Sequence, residues 1–171
     1  MDGINNLKYD HFIEKFGNVV EHCPIIAAVV WAARPFPSFA DLFDRFSTVI
    51  DSLSMEMKAG ILRCHPDLAG RLAATGQLTP ESMGEQRAAG LLDLSPSETV
   101  TMATRNDQYK AKFGFPFVVC ARENKKAAIL SGLEDRLLHS VDEEVQLGID
   151  QVKNIVRLRL QDLVNMADAR L

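Results

Sequence analysis

Cysteine and tryptophan are scarce in this sequence: three Cys (Cys23, Cys64 and Cys120) and a single Trp in 171 residues. The cysteines are odd in number, widely spaced and form no CxxC pair. That excludes a disulfide framework and a thiolate metal site, and it favours a reducing compartment. An excess of basic residues is also missing. Nineteen Lys+Arg against 23 Asp+Glu leave a formal charge of −4 and a pI near 5.6. The electrostatic footprint of a nucleic-acid binder is therefore lacking, and no nucleic-acid partner is expected. The longest apolar run, Ile25 to Ala33, falls far short of the ~20 residues that span a bilayer, so no membrane association is expected. Met1 to Asp10 shows no basic start followed by an apolar stretch, hence no secretory signal is expected. Repeats, low-complexity tracts and Gly/Ser linkers are absent too. What remains is a globular composition, 47% hydrophobic and 25% charged, and one compact domain over residues 1–171.

Leu, Ala and Met outnumber Val, Ile and Thr, which favours helix over strand. Local signals divide the chain into about eight or nine helices. Leu7 to Phe16 is the first, ended by Gly17-Asn18. Pro24 suits the first turn of a second, Ile25 to Ala33, whose near-continuous apolarity predicts full burial. After the Arg34-Pro35-Phe36-Pro37 break, Ser38 caps Phe39 to Leu53 and Ser54 caps a helix reaching about Cys64. Gly70 to Leu78 reads as loop. Thr79-Pro80-Glu81 starts one helix closed by Gly90, and Ser95 with Glu98 forms a capping box for another running to about Phe113. Gly114-Phe115-Pro116 breaks the chain, and a further helix is expected just after Pro116. Lys125 to Leu138 and Val141 to about Ala167 complete the set; Val141, Val145, Ile149, Val152, Val156 and Leu163 form the apolar stripe of the last. No strand finds a partner run, so the fold class is all-α.

Four places break these patterns. Arg159 points along the apolar stripe of the final helix, where its charge must be paired: it meets a buried carboxylate, snorkels to the rim, or lines a pocket as an anion clamp. Ser82, Glu85, Gln86 and Ala89 share one face of the Pro80 helix, whose first turn has N–H groups without helical partners. That face either takes a polar, partly anionic ligand or is simply solvated. Of four histidines (His11, His22, His65 and His139) only His65 has a distinctive setting, between a helix end and Pro66-Asp67. Pro66 holds it extended, and Asp67 either orients the ring or caps the next turn. Lys112 through Ala121 is a dense aromatic run in which Phe115 and Phe117 wall a flat ligand or plug the core, and the second role does not exclude the first. Cys64 and Cys120 follow apolar runs and read as core residues rather than nucleophiles. His22-Cys23 and Cys64-His65 are adjacent pairs, not ligands at helical spacing, so no metal site is expected.

The stretch Gly60-Ile61-Leu62-Arg63-Cys64-His65-Pro66-Asp67-Leu68-Ala69-Gly70 resembles the signature of the 2-oxo-4-hydroxy-4-carboxy-5-ureidoimidazoline (OHCU) decarboxylase family. Leu78 through Ser82 with Glu85-Gln86, Tyr109 through Val118, and Leu158-Arg159-Leu160 resemble it as well, as do Phe16 to Val19 and Cys23-Pro24. The resemblance covers essentially the whole chain, and Arg105 is a small departure that touches packing. It implies an all-helical enzyme, a homodimer, no cofactor, and decarboxylation of OHCU to (S)-allantoin, the last step of urate degradation. By the same resemblance His65 is the catalytic acid/base, with Glu85 beside it. The substrate pocket would be formed by Pro66, by Ser82, Met83, Gly84, Glu85 and Gln86, by Phe117, Val118, Val119, Cys120 and Ala121, and by Arg159. A helical interaction module without chemistry would explain the acidic helices and the aromatic run, but not the pattern breaks at His65, Glu85 and Arg159. Finally, Ala169-Arg170-Leu171 is similar to the small-basic-leucine address read by the peroxisomal import receptor, so the peroxisome is the expected location and the cytoplasm the alternative.

Overall fold

The computed structural model describes residues 1–168, with side chains described as far as Asn165; Ala169, Arg170 and Leu171 lie outside the described residues. The described residues form ten α-helices and one 3-10 turn, and no strand occurs among them. The all-α expectation holds. Two of the ten, α1 (Asp2–Asn5) and α6 (Arg71–Ala74), are four-residue turns that no sequence signal announced. The residues group into two units, one of Met1–Cys64 with Lys153 onward, the other of His65–Val152.

The first unit holds α1, α2 (Tyr9–Phe16), α3 (Pro24–Trp31), α4 (Phe39–Asp51), α5 (Met55–Arg63) and the second half of α10 (Val141–Asp168). Ser38 and Ser54 cap α4 and α5 as expected, accepting from the N–H groups of Asp41 and Met57. Phe12, Phe16, Val30, Phe46, Ile50 and Val156 are fully buried, each contributing about 1.5–3 kcal/mol relative to exposure. Helix α3 packs on α2 and α4. It is not fully buried, contrary to expectation: Ile25 and Val29 are 67% and 49% exposed. A helix apolar on every side has no polar face to show which side turns outward, and within it Ile26, Ala27 and Val30 are the buried residues.

The second unit holds α6, α7 (Pro80–Ala88), α8 (Pro96–Phe113), the 3-10 turn Ala121–Glu123, α9 (Lys126–Arg136) and the first half of α10. Thr79 accepts from Ser82 N–H, and Ser95 and Glu98 form the predicted capping box. Gly114, at φ +77°, closes α8 in the left-handed region. Three expectations fail here. Gly70 to Leu78 is not all loop, since α6 lies within it. No helix follows Pro116: Phe117 to Cys120 is irregular and leads into the single 3-10 turn. Buried neighbours override what a proline start suggests, because Tyr109, Phe113, Phe115 and Phe117 stack into one aromatic cluster, with Tyr109 4.5 Å from Phe113 and 5.4 Å from Phe117. Phe115 and Phe117 therefore pack the core, which leaves a ligand-facing role for Phe117 open. On α10, Val145, Ile149, Val152 and Val156 are buried as expected, but Val141 is exposed and Leu163 half-buried, while Leu160 and Val164 complete the stripe. None of the described helices is long and apolar enough to cross a membrane.

Candidate active site

His65 follows Cys64, the C-cap of α5, and begins the turn 65–70. It is 8% exposed. The turn is tight and strained. Ala69 has φ +49°, a conformation that costs a non-glycine residue of order 1–3 kcal/mol. A Cβ at position 70 would stand 2.6 Å from Asp67 Cβ, so only glycine fits there. Side chains hold this shape. Ala69 N–H donates to Gln86 Oε1 at 2.8 Å, and Asn106 Nδ2 donates to the Leu68 carbonyl at 2.9 Å. Asp67 Oδ2 accepts from Lys110 Nζ at 2.6 Å, and its carbonyl accepts from Gly70 N–H at 3.3 Å, closing the turn.

Helix α7 brings its polar face to the same unit. Ser82, Gln86 and Ala89 are buried and Glu85 is half-buried, so this is not a solvated face. Met83 is half-buried and Gly84 exposed. The Gln86 amide is oriented by its partner: a backbone N–H must meet the oxygen, which leaves Nε2 as a donor facing elsewhere. That Nε2 is buried, on a residue 2% exposed, with no hydrogen-bond partner among the described residues. Asn106 is the complement, its Oδ1 buried and likewise without one.

The segment Phe117 to Ala121 packs toward α7 through the 3-10 turn. Side chains meet several of its backbone groups before the 3-10 turn begins. Arg136 donates to the Val118 carbonyl at 2.8 Å and lies over the Phe117 ring at 4.7 Å. Gln151 Oε1 accepts from Cys120 N–H, and Asn124 donates to the Cys120 carbonyl. Burial first, then the charges of Glu123 and Glu85, push the Cys120 thiol up to about 11, which keeps it protonated at neutral pH and places Glu85 within electrostatic reach of this segment. Burial and the neighbouring Cys64 likewise push the Cys23 thiol up to about 12. Neither thiol is set up as a nucleophile.

His65, Pro66, Ser82 to Gln86 and Phe117 to Ala121 thus all belong to the His65–Val152 unit. Arg159 belongs to the other unit, where it is buried and donates to Glu21 Oε2 at 2.6 Å and to the Asn18 carbonyl at 3.0 Å. The buried-carboxylate reading of Arg159 is the one found. Sequence reasoning missed Glu21, and it missed a second buried carboxylate, Glu144. Glu144 is fully enclosed and accepts from Tyr109 OH and from the Arg136 guanidinium, and it lies 2.6 Å from His139 Nδ1. Burial and this carboxylate push the Tyr109 hydroxyl well above its ordinary range. Among the described residues, no group of three His, Cys, Asp or Glu side chains is arranged to hold a metal ion.

Known proteins resemble the whole chain. A family model described as OHCU decarboxylase matches residues 5–161. The 2-oxo-4-hydroxy-4-carboxy-5-ureidoimidazoline decarboxylase of Amia calva is 50% identical over 164 residues, which is 96% of this chain and 94% of that one. Its counterpart in Xenopus laevis is 48% identical over 163 residues, covering 95% and 93%. Among solved structures, the crystal structure of OHCU decarboxylase in the presence of (S)-allantoin superposes with a TM-score of 0.71 over 87% of this chain and 96% of the other. At 21% identity that likeness speaks to the fold.

Proposed function

This chain belongs to the OHCU decarboxylase family, and on that premise we propose that it releases CO₂ from 2-oxo-4-hydroxy-4-carboxy-5-ureidoimidazoline and leaves (S)-allantoin. It is a carboxy-lyase of urate degradation. In the reaction the bond from the ring to the carboxylate carbon breaks and its electron pair stays in the ring. One proton then replaces the lost group, and a single product hand requires delivery from one face. The resemblance implies no cofactor, and the reading includes none. Catalysis needs a held substrate, stabilisation of the charge that develops, and a directed proton.

His65 exchanges the proton, since an imidazole changes charge near neutral pH and the turn fixes its place. Glu85 acts beside it, by orienting the ring or by holding the substrate's hydroxyl or ureido group. Gln86 carries the strongest support for a polar ligand: a buried amide N–H₂ whose oxygen is already committed to Ala69. It donates to a substrate oxygen, where leaving it unpaired would cost about 1–3 kcal/mol. Pro66, Ser82, Met83, Gly84, and the segment Phe117, Val118, Val119, Cys120 and Ala121 form the remaining walls. Arg159 either anchors the substrate carboxylate or acts through its pair with Glu21. The test is chiral analysis of the product formed from freshly generated OHCU. An excess of (S)-allantoin over the spontaneous racemic background is expected from the wild-type protein, with none from His65→Asn; racemic product from both refutes the assignment.

Two further parts of the reading rest on the resemblance and on the tripeptide. The protein is a homodimer, which light scattering checks as twice the 19.0 kDa chain mass. Ala169-Arg170-Leu171 directs it to the peroxisomal import receptor. A reporter protein fused at the N-terminus and imaged in cells is expected to be punctate and to become diffuse when Leu171 is deleted. A diffuse signal from the intact chain makes the cytoplasm the location.

A further inference from the structure

Three polar side chains grip the turn that carries His65, and two of them lie on a helix that contributes none of the proposed pocket walls. Asn106 and Lys110 stand one turn apart on α8, on one face. Asn106 takes the Leu68 carbonyl at 2.9 Å, and Lys110 takes the Asp67 carboxylate at 2.6 Å. The third, Gln86, takes Ala69 N–H. Consecutive residues 67, 68 and 69 are therefore each tied, two to α8 and one to α7. Helix α8 is a firm base for this: it is 18 residues long, closed at one end by a capping box and at the other by Gly114.

The turn needs such ties. Ala69 is strained and Gly70 folds back onto Asp67, so the turn would relax if released, and His65 begins it. We propose that Asn106 and Lys110 are positioning residues for His65, setting where the imidazole stands without touching substrate. This rests on the decarboxylase reading given above. A reacting group displaced by about 1 Å loses on the order of 10²-fold in rate while ground-state binding is little changed. A purely structural staple would instead show in the melting temperature alone.

Lys110 gives the cleaner variant, because it is 39% exposed and Lys110→Met leaves no buried cavity. For Lys110→Met we expect kcat down about tenfold with KM within about twofold of wild type, and substantial recovery in Lys110→Arg, which restores a cation for Asp67. Asn106→Asp keeps the shape but turns an acceptor toward the Leu68 carbonyl; the same kcat-weighted loss is expected from it. The ring-proton resonances of His65, assigned by their loss in His65→Asn, report position without substrate. They should move in Lys110→Met and return in Lys110→Arg. Unchanged kcat and unchanged His65 resonances in a folded Lys110→Met protein overturn the proposal, whatever happens to its melting temperature. If the wild-type protein forms no (S)-allantoin, the activity reading falls, while the resonance comparison still decides whether α8 positions His65.

Discussion

Arg159 and Glu21 form a charge pair sealed from water at 2.6 Å, and its worth lies in being complete. Removing one partner leaves the other charge buried without this counter-charge, at a cost of about 3–5 kcal/mol. Arg159→Ala and Glu21→Ala should each lower the urea midpoint by that equivalent. The apolar pair Arg159→Met with Glu21→Leu should recover most of it. If activity stays lost in the stable double variant, Arg159 serves the reaction as well as the fold; if activity returns, its role is structural. His65→Asn is expected to leave far-UV dichroism unchanged and to lower kcat by roughly 10²–10⁴-fold. The two halves of the charge pair were unequally legible. Arg159 interrupts an apolar stripe and so announces itself, whereas Glu21 lies 138 residues away in the chain with nothing local to mark it. Glu144 was hidden differently. It sits in the acidic first turn of α10 with Asp142 and Glu143, where carboxylates are favoured by the helix dipole in any case, so its burial left no trace in the pattern.

Helix starts were the most legible elements, because capping is chemistry between residues three apart. The Ser95–Glu98 box closes in both directions, at 3.3 Å and 2.8 Å. Ser95→Ala should cost about 1 kcal/mol. Glu98 carries a pH dependence of definite sign. The Ser95 backbone N–H first, then Lys126 and the Ser95 hydroxyl, hold its carboxyl below the ordinary value of 4.5. A group depressed in the folded state stabilises above its unfolded pKa, and that contribution disappears as pH falls through the lower folded value. Wild type should therefore exceed Glu98→Gln in denaturant midpoint at pH 7, with the two midpoints converging as the carboxyl protonates. Elements shaped by distant packing were less legible. Phe117 to Cys120 carries a proline start, yet Arg136, Gln151 and the aromatic cluster claim it for an irregular path. The polar face of α7 was visible at helical spacing, but the burial of Ser82 and Gln86 depends on the neighbours that cover them.

At the scale of the whole molecule, a ligand that binds only the folded state must raise its stability. (S)-Allantoin at ~100 times its Kd adds about 2.7 kcal/mol. For a chain of 171 residues that corresponds to roughly 5–10 °C in Tm. A protein with no pocket for this product would show no shift, and Gln86→Ala should show a reduced one. The lone tryptophan offers a way to watch one part of the chain by itself. Trp31 sits in the Met1–Cys64 unit, its indole N–H on the Leu7 carbonyl, Tyr9 edge-on at 5.2 Å and the Arg34 guanidinium 3.9 Å over the ring. No other indole exists in the chain. Emission excited at 295 nm (on the order of the indole absorption edge) therefore reports that unit alone, whereas ellipticity at 222 nm sums every helix. Heating followed by both signals separates two cases. Superimposed curves mean that the two units melt as one, and a red shift that precedes or trails the loss of ellipticity shows which unit lets go first.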